Sequence, residues 1–130
     1  MPNSAPRILL ADDEPAVLKM MELYLDRLGY AVTVADSAAR AWAEVDAAPD
    51  GFDVAVLDAT MACSTLSDLV LKLLRACPKL CILVASGYPV DMSVVKQSAG
   101  SRAAFLHKPF GPEELATSIR RILASQEEGL

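Results

Sequence analysis

Short, solid apolar runs alternate with amphipathic stretches five times along these 130 residues, and few folds accommodate that rhythm. Arg7–Ala11, Ala31–Ala35, Phe52–Leu57, Leu80–Ala85 and Ala103–Leu106 have strand length and little polar interruption. Between them apolar residues recur at helical spacing. Val17, Met21, Tyr24/Leu25 and Leu28 mark the first helix, which a carboxylate cap and Pro15 open and Gly29 closes. Ser37 caps a second helix with Ala38, Ala41/Trp42 and Val45 inward, and Pro49-Asp50-Gly51 is its turn. Leu66, Leu69/Val70 and Leu73/Leu74 mark a third, closed before Pro78. A short fourth spans about Val90–Ser98. Pro112 opens the last, with Leu115, Ile119 and Ile122/Leu123 inward, and Ser125–Leu130 reads as a polar tail. Alternating strands and helices require crossovers between parallel strands, and solid apolar strands are buried on both faces. The chain is therefore read as one α/β domain over 1–130, its core about 7–124, with a parallel sheet covered on both sides.

Composition narrows the function. Twelve Lys+Arg against seventeen Asp+Glu leave a formal charge of -5, with no basic cluster to neutralise phosphates, so no nucleic acid is expected through this domain. The longest apolar runs cannot span a bilayer, and no signal peptide is visible at the start, so a cytoplasmic protein without a membrane partner is expected. Cys63, Cys77 and Cys81 match neither a CxxC redox pair nor a zinc site and read as small buried thiols. Met20-Met21 reads as core filler and Trp42 as packing.

The polar residues that interrupt this apolar chain are not scattered. Asp12 and Asp13 follow the first strand, Asp58 ends the third, Ser86 follows the fourth and Lys108 follows the fifth. All lie at the carboxyl edge of a parallel sheet, where open α/β folds bind their ligands. Singly each has a bland reading: a helix cap, a strand-end turn, a solvated lysine. Jointly they assemble a site. Three carboxylates repel one another, and a divalent cation with a taste for hard oxygen removes that penalty; Mg²⁺ fits, since it takes one or two carboxylates and accepts phosphate oxygens. Lys108 adds a compact positive charge and Ser86 a hydroxyl donor. A carboxylate nucleophile, a metal, a lysine and a hydroxyl are the parts that phosphoryl transfer to aspartate requires.

Four segments carry a resemblance to a known family: Ile8-Leu9-Leu10-Ala11-Asp12-Asp13-Glu14-Pro15, Asp53-Val54-Ala55-Val56-Leu57-Asp58, Ile82-Leu83-Val84-Ala85-Ser86-Gly87-Tyr88, and Phe105-Leu106-His107-Lys108-Pro109-Phe110 followed by Glu113-Glu114-Leu115. From about Arg7 to Leu123 the chain resembles the receiver domain of two-component response regulators, and its Ser-Gly-Tyr and Lys-Pro-Phe forms look like receivers attached to or serving hybrid histidine kinases. The resemblance implies a flavodoxin-like fold with strand order 2-1-3-4-5. It implies that Asp58 accepts a phosphoryl group from a sensor histidine kinase or phosphotransfer protein. Asp13 and Asp58 would bind Mg²⁺ directly, Asp12 through metal-bound water, and the backbone carbonyl of Thr60 would add a ligand. Ser86 would bond the phosphoryl group and move towards it, Lys108 would pair with it, and Phe105 would couple that movement to the surface of the fourth helix, fifth strand and fifth helix. The Lys108-Pro109 peptide would be cis. The output would be contact with a downstream protein, or a homodimer formed on phosphorylation. The domain would be a switch with at most slow self-dephosphorylation, not an enzyme.

Two departures stand out. The family's Pro and Gly are missing from Ala62–Leu66, and Gly100 lies five residues before Phe105 where the family's glycine lies four before. A receiver that is never phosphorylated and serves as an interaction module remains an alternative. A phosphatase of the haloacid-dehalogenase type would need an acidic residue two positions after its nucleophile, and position 60 is Thr60.

Overall fold

The computed structural model describes residues 5–61 and 66–128. Its elements alternate throughout: β1 (Arg7–Ala11), α1 (Pro15–Arg27), β2 (Ala31–Ala35), α2 (Ala38–Ala47), β3 (Val54–Asp58), α3 (Leu66–Ala76), β4 (Cys81–Ser86), α4 (Ser93–Ala99), a 3-10 turn (Gly100–Arg102), β5 (Ala103–His107) and α5 (Pro112–Glu128). All the strand pairs are parallel, and the sheet order is β2-β1-β3-β4-β5.

Side chains alternate across a strand, so each central strand feeds two cores. Leu9, Ala55, Leu57, Ile82 and Val84 pack in one with Ala41, Val45, Leu69, Val70, Leu73 and Val95 from α2, α3 and α4. Ile8, Leu10, Val54, Val56 and Leu83 pack in the other with Leu18, Met21 and Leu25 of α1 and Leu115, Ile119 and Ile122 of α5. Burial of both faces explains why the strands are solid apolar runs. At roughly 2 kcal/mol for each large side chain removed from water, these two layers are the main force holding the crevice residues at one level.

Local sequence rules account for most boundaries. Ser37 Oγ caps α2 by accepting from the Arg40 amide at 3.1 Å, as its position predicts. Gly29, at φ +96, ends the first βα unit in a conformation that favours glycine. Several expectations need correction. Glu14 is the N-cap of α1 but makes no side-chain cap bond; the Glu14 amide instead donates to Asp12 Oδ1 at 2.9 Å. Met20 and Leu28 are exposed rather than inward, because α1 turns Leu18, Met21 and Leu25 to the sheet. α4 starts only at Ser93, after Asp91 Oδ1 has accepted from the Ser93 amide. α5 continues to Glu128, where a tail was expected from Ser125. Cys77 and Cys81 are buried thiols, donating to the carbonyls of Phe52 and Ile122 at 3.4 Å each. Burial pushes the Cys77 thiol up and the Cys81 thiol to about 11, so neither is a ready nucleophile at neutral pH. Cys63 lies outside the described residues.

The turn into β3 is tight. Asp50 has φ +59, and the Gly51 amide donates to the Ala48 carbonyl at 2.8 Å. A Cβ on Gly51 would lie 2.8 Å from both the Cβ and the carbonyl oxygen of Ala48. Gly51→Ala should therefore cost about 1–3 kcal/mol, read as a lower urea midpoint with unchanged slope.

Candidate functional site

Strand register brings the polar residues together. Ala11 pairs with Leu57, so Asp12 stands one step beyond β1 opposite Asp58. Asp58 pairs with Ala85, placing Ser86 one step beyond it, and Ser86 pairs with His107, placing Lys108 one step further. Backbone bonds extend the ladder past the strand ends: the Asp12 amide donates to Ala35 at 3.1 Å, and the Ala59 and Lys108 amides donate to Ala85 and Ser86 at 2.9 Å each.

The arrangement is polar and largely dry. Asp12, Asp58 and Ser86 are 1%, 4% and 1% exposed, whereas Asp13 faces solvent. Buried charge is costly unless paired, and Lys108 supplies the partner. Its Nζ lies 3.0 Å from Asp12 Oδ2 and 3.5 Å from Asp58 Oδ1, bridging residues from opposite ends of the chain. Burial pulls the ammonium down, but the Asp12 hydrogen bond and the charges of Asp12 and Asp58 outweigh it and hold Lys108 above its ordinary 10.5. The Lys108-Pro109 peptide is cis.

Asp12, Asp13 and Asp58 each offer a carboxylate oxygen within 4.8 Å of the others. Three hard oxygen donors and one lysine leave an excess of negative charge, which suits Mg²⁺ in donor type and in sign. Thr60 stands beside them: its amide and its hydroxyl both donate to Asp58 Oδ1, at 3.1 and 3.0 Å. The resemblance implies a carbonyl ligand at Thr60 and a place beside the acyl phosphate, but not this hydrogen bond from its hydroxyl, which was missed. The amide bond had a signal, since Asp and Ser at a strand end commonly bond the amide two residues on; the hydroxyl bond had none.

Phe105 is 37% exposed on β5, and its ring meets that of His107 edge-on, centroids 6.4 Å apart. The displaced Gly100 has φ +60 and opens the 3-10 turn after α4. Arg102 Nη1 then donates to the carbonyls of Pro78 and Leu80 at 2.7 and 2.9 Å, tying that turn to the start of β4. The β4–β5 register that follows runs unbroken from Ile82–Ala103 to Ser86–His107. Residues 62–65, where the family's Pro and Gly are missing, lie outside the described residues. No helix among the described residues is long and apolar enough to cross a membrane.

Comparison with known proteins agrees with this fold. The chain is 37% identical over 117 residues to the DNA-binding transcriptional regulator NtrC of Rhizobium meliloti (strain 1021), covering 90% of this chain and 24% of that protein. It is 29% identical over 125 residues to the sensor kinase CckA of Brucella abortus (strain 2308), covering 96% of this chain and 13% of the kinase. This chain thus spans a quarter or less of these relatives' lengths. Among solved structures, a CheY-like response regulator receiver domain protein from Methanospirillum hungatei JF-1 superposes with a TM-score of 0.84 at 27% identity, covering 98% of this chain and all of that one. Residues 8–120 match the response regulator receiver domain as a family, a span that contains β1 through most of α5 and every crevice residue named above. This chain belongs to the response regulator receiver domains of two-component signalling.

Proposed function

We propose that this domain is a phosphoacceptor switch, in which Asp58 takes a phosphoryl group from a phosphohistidine on a sensor histidine kinase or phosphotransfer protein. The observation that carries the reading is the Lys108 bridge between Asp12 and Asp58 at the rim of a three-carboxylate cluster. An ammonium held there can pair with a carboxylate before transfer and with a phosphoryl oxygen after it. Asp13 and Asp58 hold Mg²⁺ in this reading, with Asp12 acting through water and the Thr60 carbonyl as a further ligand. Bound there, Mg²⁺ supplies the positive charge that offsets the carboxylates and orients phosphoryl oxygens.

The bonding of Ser86 supports its part in this reading. Its Oγ accepts from the Tyr88 amide at 3.0 Å, which leaves the hydroxyl proton available for a phosphoryl oxygen. A shift of Ser86 towards that oxygen pulls on the segment leading to α4, and Phe105, whose ring meets that of His107, the strand partner of Ser86, would carry the change to the α4–β5–α5 face. The downstream partner reads that face, with or without dimerisation. Any turnover is slow self-dephosphorylation, so the domain signals by its state and not by catalysis.

Intact-mass spectrometry after incubation with phosphoramidate tests the reading. One phosphoryl group should be gained with Mg²⁺ present and none when EDTA removes it. No gain under either condition would leave a non-phosphorylated interaction module.

A further inference from the structure

Two of the helices that cover one face of the sheet leave a hollow between them. Ala38, Ala39 and Trp42 of α2 face Leu69 and Leu71 of α3 across a groove of about 720 Å³, with Met61, just past β3, at its crevice end. Closely packed helices fill such a space with interdigitated side chains. Here two alanines stand where larger residues would reach across. Apolar surface is left open as a result: Trp42 is only half-buried and Leu71 is 37% exposed. A concave, mainly apolar space of this volume with a few charged groups around it has the usual form of a small-molecule site.

The charges along the groove have a direction. α2 and α3 both begin at the carboxyl edge of the sheet, so Asp13, Asp36 and Asp68 gather at the crevice end. Lys72 and Arg75 lie about 6 and 10 Å beyond Asp68 along α3, at the rise of an α-helix. Among the described residues neither cation has a hydrogen-bond or ion-pair partner. Two unpaired cations at one end and three carboxylates at the other suit a ligand with its negative charge at the far end only. An acidic peptide running the length of the groove would meet the three carboxylates, so a compact ligand is favoured.

We propose that the α2–α3 groove is a binding site for a small, planar, mainly apolar molecule carrying one carboxylate or sulfonate. Its rings lie against the Trp42 indole and Leu71, removing from water apolar surface that folding left uncovered. Its anionic group pairs with Lys72 and Arg75, and its apolar end points towards Met61. The site borders the crevice at Asp13 but needs neither Mg²⁺ nor a phosphoryl group on Asp58, so it is tested apart from the phosphoacceptor reading.

The probe is anilinonaphthalene sulfonate, an aromatic sulfonate of the proposed class, titrated into the isotope-labelled chain with no phosphodonor and followed by amide NMR. Trp42 is the chain's only tryptophan, so its indole N–H gives a single resonance that reports on the groove. That resonance and the amides of α2 and α3 should shift together and saturate. Lys72→Gln combined with Arg75→Gln should weaken binding about tenfold, as two ion pairs at an exposed rim would. Ala39→Phe, at an exposed helix position, should fill the hollow and abolish binding while the resonances of the sheet stay in place. Met20→Ala, on the exposed apolar side of α1, should leave the affinity unchanged. Equal affinity in the doubly neutralised variant would overturn the proposal, because the cations would then select nothing. Saturating shifts centred on α1 or β5, or a loss of binding in Met20→Ala, would overturn it by placing the probe on another apolar surface. Absence of any saturable shift at millimolar probe would overturn it as well.

Discussion

Asp58→Asn should abolish Mg²⁺-dependent uptake of a phosphoryl group from phosphoramidate and, in the same protein without Mg²⁺, raise the thermal midpoint. The loss follows from chemistry: a carboxamide oxygen is a poor nucleophile, and no neighbouring carboxylate occupies the same point of the strand ladder. The gain follows from electrostatics. Asp12, Asp13 and Asp58 bring carboxylate oxygens within 4.8 Å of one another, and a single lysine bridges two of them. Removing one charge relieves that repulsion, yet the Asn carbonyl can still accept from the Thr60 amide and hydroxyl, and Lys108 keeps Asp12 at 3.0 Å. A relief of about 1 kcal/mol would raise the midpoint by roughly 3–5 °C for a domain of this size. Saturating Mg²⁺ should narrow the gap, since it stabilises wild type more than the variant. A lower midpoint for Asp58→Asn in EDTA would mean that the Lys108 pairing outweighs the repulsion, and that the site is not strained for function.

Much of this was readable because a doubly covered parallel sheet leaves a strong imprint. Ile8-Leu9-Leu10 and Ile82-Leu83-Val84 are solid apolar runs because alternate residues enter different cores. Once the strands are parallel, the residues just past their ends must share one edge, which is how Asp12, Asp58, Ser86 and Lys108 could be grouped from the sequence alone. What escaped depends on rotation and local competition. Met20 and Met21 are equally apolar, and only the roll of α1 about its axis, set by how Leu18, Met21 and Leu25 meet the sheet, sends Met20 outward. A carboxylate before Pro15 looked like a cap, and Glu14 does hold the N-cap position, but its side chain makes no cap bond; the carboxylate that bonds backbone here is that of Asp12, which accepts from the Glu14 amide. Ser125 and its successors are polar enough to suggest a tail, yet nothing in Ser125–Glu128 breaks a helix already nucleated by a packed face, so α5 runs on. The Thr60 hydroxyl contact was hidden for a different reason: a short Asp-x-Thr segment permits the bond without requiring it.

Lys108→Met should destabilise the domain by about 1–3 kcal/mol at neutral pH, less than the full cost of breaking a buried pair because the lysine side chain is 21% exposed. Asp12 and Asp58 would then face each other, both nearly fully buried, with no ammonium between them. The pH dependence identifies the cause. Lys108 sits above its ordinary 10.5 in the folded protein, because Asp12 and Asp58 together outweigh the burial that pulls it down. A group whose value is raised on folding contributes its stability fully below the unfolded value and loses it as pH climbs through the folded one. The difference between wild type and Lys108→Met should therefore stay level up to about pH 10 and shrink above it. Urea midpoints measured across that range check this, and comparing two proteins at each pH cancels the alkaline titration of other lysines and tyrosines. A difference that stays level through the alkaline range would assign the lysine's contribution to its aliphatic stem rather than its charge. The pairing also predicts coupling with the acceptor. In an Asp58→Asn background the same substitution should cost less, since one of the two charges left exposed to each other is already gone. If the costs were simply additive, Lys108 would act through Asp12 alone, and its 3.5 Å approach to Asp58 would carry no energy in the resting state.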